Sequence, residues 1–226
     1  MIYVTGDTHG DRERFSEKYI VGERSWTKDD ILIIAGDFGY LFKDDDKERE
    51  FLNSLEEKPY TVCFCDGNHE NFTAIYKYPV EEWMGGKIRK IRKNVYHLTR
   101  GQVYEIDGKR IFTMGGAYSV DAATKGSLGL HWKEEIPTED EREEARRNLK
   151  RVNYEVDYIV THTTTRRMMG WMGRYHCDYH ETELLDLFDW IEQDVKFKKW
   201  FFGHWHLDRE MGDKFRAVLF DVVPLE

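Results

Sequence analysis

Cysteine is scarce in this chain: three residues in 226, an odd number and too few for a disulfide framework. That excludes the small stapled folds of secreted proteins and points to a reducing compartment, the cytoplasm. Cys63 and Cys65 stand two apart in an apolar run and share one face of a strand. Two small buried hydrophobes are the simpler reading, a thiolate metal site the alternative. Proline occurs four times and no Ser/Gly-rich stretch interrupts the sequence, so residues 1–226 are expected to form one domain. No apolar run approaches the ~20 residues that cross a bilayer. Residues 1–4 enter a strand-like segment without a basic stretch or cleavage pattern, so neither a membrane span nor a secretory signal is expected. Positive charge is also short, with 34 Lys and Arg against 43 Asp and Glu, a net charge of -9. Extended binding along nucleic acid, which needs a basic face, is disfavoured. A nucleotide substrate stays open, because bound cations would reverse the local field.

What is present is globular: 40% hydrophobic and 15% aromatic residues. Apolar runs at 2–4, 31–35, 60–65, 158–160 and 200–202 are dense in Val, Ile, Leu and aromatics and predict buried strands. Amphipathic stretches lie between them. Residues 47–57 place Phe51, Leu52 and Leu55 on one helical face. Thr138, with Glu141 three residues on, predicts a capping box that opens a charged helix. Residues 181–193 carry Leu184, Leu185, Leu187, Phe188 and Ile191, a third helix. Strands alternating with helices imply an α/β fold. The runs 95–98, 102–106 and 110–114, with turn signals at Gly101 and Asp107-Gly108, predict hairpins. With a strand at 215–223 they predict a second, more antiparallel sheet packed on the first.

Chemistry-bearing residues follow the buried strands. Gly6-Asp7-Thr8-His9-Gly10 follows the first, and Gly36-Asp37-Phe38-Gly39 the second. Asp66-Gly67-Asn68-His69-Glu70 follows the third, Thr161-His162 the fourth, and Gly203-His204-Trp205-His206 the fifth. Singly, each has a plain explanation as a surface pair, a turn former, a cap or a hydrogen-bonded core histidine. Together they share one context, the carboxyl end of a strand, where loops of an α/β sheet converge on a ligand. Seven N/O donors and one further histidine are thus predicted to meet in one pocket.

The ordered set Gly-Asp-x-His-Gly, Gly-Asp-x-Gly, Gly-Asn-His-Glu, an isolated His and Gly-His-x-His, spanning residues 6 to 206, resembles the calcineurin-like metallophosphoesterase superfamily. The resemblance implies a four-layer α-β-β-α sandwich, two mixed sheets flanked by helices. It implies that Asp7, His9 and His206 hold one divalent ion, that Asn68, His162 and His204 hold a second, and that Asp37 bridges both. His69 would then stand beside the metals, free to protonate a leaving group. Mixed N/O ligation without thiolate suits Mn²⁺ first, with Fe or Zn²⁺ as alternatives. The implied activity is hydrolysis of a phosphate ester by attack of a metal-bridging hydroxide.

The Ser/Thr protein phosphatases of this superfamily extend the second block with Val-Asp-Arg-Gly. Here the stretch after Asp37 reads Phe38-Gly39-Tyr40-Leu41-Phe42, so resemblance to that branch is partial. Asp66 or the Asp44–Asp46 run would have to replace the missing partner of His69. Arg166 and Arg167, close behind His162, are the candidate phosphate contacts, with solvated surface arginines as the plain alternative. On them rests an expected preference for monoesters. A phosphodiesterase acting on a nucleotide or nucleic acid, and a catalytically inactive metal-dependent scaffold, are the competing readings. The Met- and aromatic-rich residues 168–176 could form a lid, a partner surface or a core-packing loop. His176 and His180, spaced i and i+4, could form a further metal site.

Overall fold

Along the strand Ile31–Ala35, alternate side chains enter different cores. Ile31, Ile33 and Ala35 join one apolar cluster, while Leu32 and Ile34 join another. A strand buried on both faces has no polar alternation, which is why it reads as an unbroken apolar run. The structure, a computed structural model, describes residues 1–119, 132–174 and 178–226.

The first sheet has seven strands in the order β13 (Val223–Pro224), β1 (Ile2–Thr5), β2 (Ile31–Ala35), β3 (Thr61–Cys65), β6 (Val95–Leu98), β5 (Gly86–Arg92) and β4 (Val80–Trp83). The second has six, ordered β11 (Arg209–Met211), β12 (Phe215–Ala217), β10 (Lys199–Phe202), β9 (Tyr158–Thr161), β8 (Lys109–Met114) and β7 (Gln102–Ile106). Each has a parallel centre, β1-β2-β3-β6 in one and β12-β10-β9-β8 in the other, with antiparallel strands at its edges.

Three apolar clusters separate four layers. Ile33, Cys63 and Leu98 of the first sheet meet Ile111, Val160 and Phe201 of the second between the sheets. Outside the first sheet, α1 (Asp46–Leu55) and α2 (Phe72–Ile75) lay Leu52, Leu55 and Ile75 over Leu32, Ile34 and Phe64. Outside the second, α3 (Glu139–Arg151) and α5 (Thr182–Asp194) cover Phe112, Ile159, Trp200 and Phe202 with Ala145, Leu149, Leu184, Phe188 and Ile191. The expected α-β-β-α sandwich is present. So is the capping box at α3, where Thr138 Oγ1 accepts from the Glu141 backbone and Glu141 accepts from Thr138 N at 2.7 Å.

Strand membership differs from expectation. Residues 95–98 pair in parallel with β3, not with the hairpin β7–β8 that follows. The strands 158–161 and 199–202 belong to the second sheet, whose centre is therefore parallel. The stretch 215–223 divides, giving β12 to the second sheet and β13 to the edge of the first. A doubly buried strand has the same sequence pattern in either sheet, so periodicity cannot assign its partners. Cys63 and Cys65 lie fully buried between the sheets, and burial pushes both thiols up; the small-hydrophobe reading holds and a thiolate site does not. Among the described residues, no helix is long and apolar enough to cross a membrane.

One buried ionic network stiffens the end of β3. Asp66 Oδ1 lies 3.0 Å from His97 Nε2, and Oδ2 accepts from Arg100 Nε and Nη2 at 2.8 and 2.5 Å. Burial would raise the Asp66 carboxyl, but Arg100 and His97 outweigh it and bring it to about 2. Arg100→Met would leave that carboxylate buried without its cation, and a loss of about 3–5 kcal/mol in unfolding free energy by urea titration is expected. A folded value below the ordinary 3.8 gives stability that is present above pH ~4 and lost as the pH falls from there towards about 2. In Arg100→Met this part of the acid-unfolding curve should flatten.

Candidate metal centre

The carboxyl ends of β1, β2 and β3 in the first sheet and of β9 and β10 in the second open onto the same place. Asp7 and His9 follow β1, Asp37 follows β2, Asn68 and His69 follow β3, His162 follows β9, and His204 and His206 follow β10. The loops are joined by backbone: His9 N donates to Asp37 O at 2.8 Å and Gly10 N to Phe38 O at 3.1 Å. Asp7 accepts from His204 N at 2.9 Å, tying the first loop to the last.

The donors form two groups that share Asp7, with Asp37 in the second. Ligand atoms of Asp7, His9 and His206 lie within 4.8 Å of one another, as do those of Asp7, Asp37 and His162. Asp37 Oδ2 is 3.6 Å from His9 Nε2, and Oδ1 is 3.4 Å from His162 Nε2. Asn68 Oδ1 lies 2.9 Å from His162 Nε2 and 3.0 Å from His204 Nδ1, while Asn68 Nδ2 donates to Ser119 Oγ at 3.0 Å. His162 Nδ1 donates to Ala35 O at 2.9 Å, which turns Nε2 towards Asn68 and Asp37. His162 Nε2, the Asn68 carbonyl and the Asp37 carboxylate converge, three groups able to offer lone pairs. A cation is what such a set of acceptors fits.

Electrostatics agree. Burial brings His9 to about 4 and His204 to about 3, so both rings are neutral near pH 7, the ligating form. Burial and the facing Asp37 push the Asp7 carboxyl well up. Burial would raise Asp37 as well, but His162, His69 and His9 hold it below the ordinary range.

Backbone conformation is unusual here. Ten non-glycine residues among those described have positive φ, and five are Asp7, His9, Asp37, His204 and His206. The left-handed region costs a non-glycine residue of order 1–3 kcal/mol, and such residues collect at functional sites. Glycine is required alongside. A Cβ on Gly36 would sit 2.0 Å from His162 Nδ1, and one on Gly67 would sit 2.1 Å from Asp37 Oδ1. Both glycines let a ligand side chain lie against bare backbone.

His69 is half-buried at the rim. Its N–H donates to Asp37 Oδ1 at 2.7 Å, and its ring meets the His9 ring edge-on with centroids 5.3 Å apart. Neither expected carboxylate is arranged as its partner. Asp66 is taken by His97 and Arg100, Asp44 pairs with Lys77 and Arg49, Asp45 caps α1, and Asp46 pairs with Arg49.

Arg166 and Arg167 are not brought to the cluster. Thr165 caps the helix α4 (Arg166–Trp171), which turns both side chains towards α5. Arg166 pairs with Asp189 at 2.6 Å and with Asp186 at 2.8 Å, and Arg167 pairs with Glu192. They line a separate cleft with Asp189 and Glu192. The basic residue beside the cluster is Arg174, which lines a cleft of about 520 Å³ with Asp37, Asn68, His69, His204 and His206. Among the described residues Arg174 makes no ion pair; its guanidinium stands 5.9 Å from the Trp205 ring centroid. Of residues 168–176, Met168 and Met169 are buried, Trp171 is exposed, and Tyr175 and His176 lie outside the described residues. The proposed His176–His180 pair lies outside them too; His180 itself bonds Asp178 at 2.6 Å.

Two supporting residues escaped the sequence reading. Buried Arg14 donates to Asp7 O at 3.1 Å, to Gly6 O at 3.0 Å and to Leu219 O, pinning the first ligand loop to the C-terminal segment. Fully buried Glu70 accepts from Phe38 N at 2.7 Å and holds the loop that carries Asp37. Glu70 belongs to the Gly-Asn-His-Glu block and could have been read from it; Arg14 has no such signal.

Comparison with known proteins gives a consistent family. The profile of the calcineurin-like phosphoesterases matches residues 1–208. A lariat debranching enzyme of Schizosaccharomyces pombe is 27% identical over 180 residues, 72% of this chain and 36% of that protein. The chain thus spans about a third of the curated relative it matches. A solved structure assigned as a 5'-nucleotidase from Staphylococcus aureus, in complex with alpha-ketoglutarate, is similar at a TM-score of 0.49 and 12% identity, covering 96% of this chain and 48% of that one.

Proposed function

The chain belongs to the calcineurin-like phosphoesterase family, and from that membership we propose that it hydrolyses a phosphate ester at a two-metal centre. Asp7, His9 and His206 would hold one divalent cation, Asn68, His162 and His204 the other, and Asp37 would serve both. The observation that supports this most is the convergence on His162 Nε2 of Asn68 Oδ1 at 2.9 Å and Asp37 Oδ1 at 3.4 Å. The mixed imidazole, amide and carboxylate set favours Mn²⁺, with Fe or Zn²⁺ next. When bound, two such cations acidify a water and clamp phosphate oxygens.

The chain's own residues supply the rest. His69, held by its backbone on Asp37, carries a proton towards the departing ester oxygen. Arg174 offers a guanidinium to phosphate oxygens in the larger cleft. The monoester preference expected from the sequence rested on Arg166 and Arg167, and their ion pairs with α5 remove that support. The low cysteine count favours work in the cytoplasm.

The test is hydrolysis of p-nitrophenyl phosphate and bis(p-nitrophenyl) phosphate by chelated and Mn²⁺-reloaded protein, with metal counted on the same sample. Activity should appear only on reloading, with close to two equivalents bound; turnover that survives full chelation would overturn the reading. In the same assay Arg174→Ala should raise KM roughly tenfold, the weight of a charge-assisted hydrogen bond. Arg166→Ala should change it by about twofold or less.

A further inference from the structure

A second cleft, of about 300 Å³, shares His69 with the first. His69 lines both, and His9 also borders the smaller one. The smaller cleft is floored by Gly10 and Gly39, whose backbones meet so closely that a Cβ on Gly10 would sit 2.7 Å from Gly39 O. Half-buried Phe42 walls it, with the Trp132 ring edge-on at 5.8 Å. Lys43 stands exposed at its rim and makes no ion pair among the described residues. The Glu48 carboxylate in the same wall is turned onto the backbone N–H of Lys43 and Asp44, at 2.8 to 3.0 Å, and so is already satisfied. The larger cleft repeats the combination. Trp205 lines it, Arg174 provides the unpaired cation, and Trp205 Nε1 is a buried donor without a partner among the described residues.

A flat apolar wall beside a free cation suits a nucleobase with an anionic group next to it. Two such walls belong to clefts that both take in His69, beside the donor cluster. A monoester has one arm and would leave one cleft without use. We propose that the two clefts are subsites for the two nucleoside arms of a phosphodiester, one on Phe42 and Lys43 and the other on Trp205 and Arg174, with the scissile phosphate between them. This rests on the phosphoesterase reading and names its substrate class. Both clefts are within the ordinary size range of ligand sites. In the reaction, a water oxygen forms the new bond to phosphorus and the bond to one arm's ester oxygen breaks. That oxygen takes a proton through His69 and leaves as an alcohol. The other arm keeps the phosphate as a monoester, and the remaining water proton stays on it or passes to solvent.

The experiment compares a thymidine dinucleotide with p-nitrophenyl phosphate on the Mn²⁺-loaded full chain, for wild type, Phe42→Ala, Trp205→Ala and the exposed-site variant Lys43→Glu. Equilibrium binding of the dinucleotide and of thymidine monophosphate to the chelated protein is measured alongside. Each aromatic variant should lose roughly tenfold more kcat/KM on the dinucleotide than on the nitrophenyl ester, and roughly tenfold in dinucleotide affinity. Lys43→Glu should shift the same ratio in the same direction without touching a packed residue. Equal losses on both substrates, or cleavage of the nitrophenyl ester alone, would overturn the two-arm inference while sparing the phosphoesterase. If neither ester is cleaved, the phosphoesterase reading fails instead. Dinucleotide affinity that depends on Phe42 would still uphold the clefts as nucleoside sites, and affinity indifferent to it would remove them.

Discussion

Asp37→Asn is expected to lower kcat/KM by about 10³-fold or more and to reduce bound metal from two equivalents to one or none. The two oxygens of Asp37 face different histidines, His162 at 3.4 Å and His9 at 3.6 Å, and Oδ1 also receives the His69 N–H. An amide keeps the size but offers one weak acceptor in place of two charged ones. It would also turn a donor towards either His9 or His69, breaking the agreement of lone pairs on that side. Metal analysis after gel filtration, with turnover on the same fractions, checks the prediction. Two retained equivalents and normal turnover would mean that Asp37 does not serve both donor groups. The effect should be separable from misfolding, because the loop carrying Asp37 is held independently by Glu70 through Phe38 N.

His69→Ala should behave differently: metal retained, kcat down by roughly 10²–10⁴, the range of a positioned acid. No donor group includes His69, yet it borders both clefts, so its loss removes a proton source and leaves the acceptors in place. The deficit should shrink for nitrophenyl esters, whose leaving group needs little protonation, and grow for alkyl esters. A plot of log kcat against leaving-group pKa should therefore be steeper in the variant than in wild type. Parallel plots would take His69 out of the leaving-group role and leave it as support for Asp37.

The convergence of these loops was legible because chemistry here repeats a position. Asp7, Asp37, Asn68, His162 and His204 each follow an apolar run, and a strand end is the one place where a parallel sheet exposes a loop to its neighbours. The α/β class followed from strands alternating with amphipathic helices, as residues 47–57 and 181–193 showed, whereas the four layers came only with the resemblance to the family. Sheet membership did not, because the runs at 158–161 and 31–35 have the same doubly buried composition and only pairing tells them apart. Arg166 and Arg167 misled for a local reason. Proximity in sequence to His162 suggested proximity in space, but the cap at Thr165 starts a helix that carries both residues away. Arg174 escaped for the converse reason, being solitary and twelve positions beyond His162 yet folded back beside Trp205. The left-handed backbone at His204 and His206 has no sequence signature, since histidine carries no mark of the conformation it is held in.

The division of donors between the sheets has a consequence for how the protein matures. Asp7, His9, Asp37 and Asn68 belong to the first sheet and are made within the first 68 residues, whereas His162, His204 and His206 belong to the second and come much later. During synthesis the early donors emerge as an incomplete set, open to water and to any competing ion. On the proposed assignment the set with Asn68 would be complete only once His204 has been made and the set with Asp7 and His9 only once His206 has, and both need the two sheets to have met through Ile33, Cys63, Val160 and Phe201. If these donors hold cations as proposed, cation capture would be a late step of biogenesis that accompanies the joining of the sheets. Which metal the finished protein then carried would depend on the ions at hand at that moment, as well as on the preferences of its ligands.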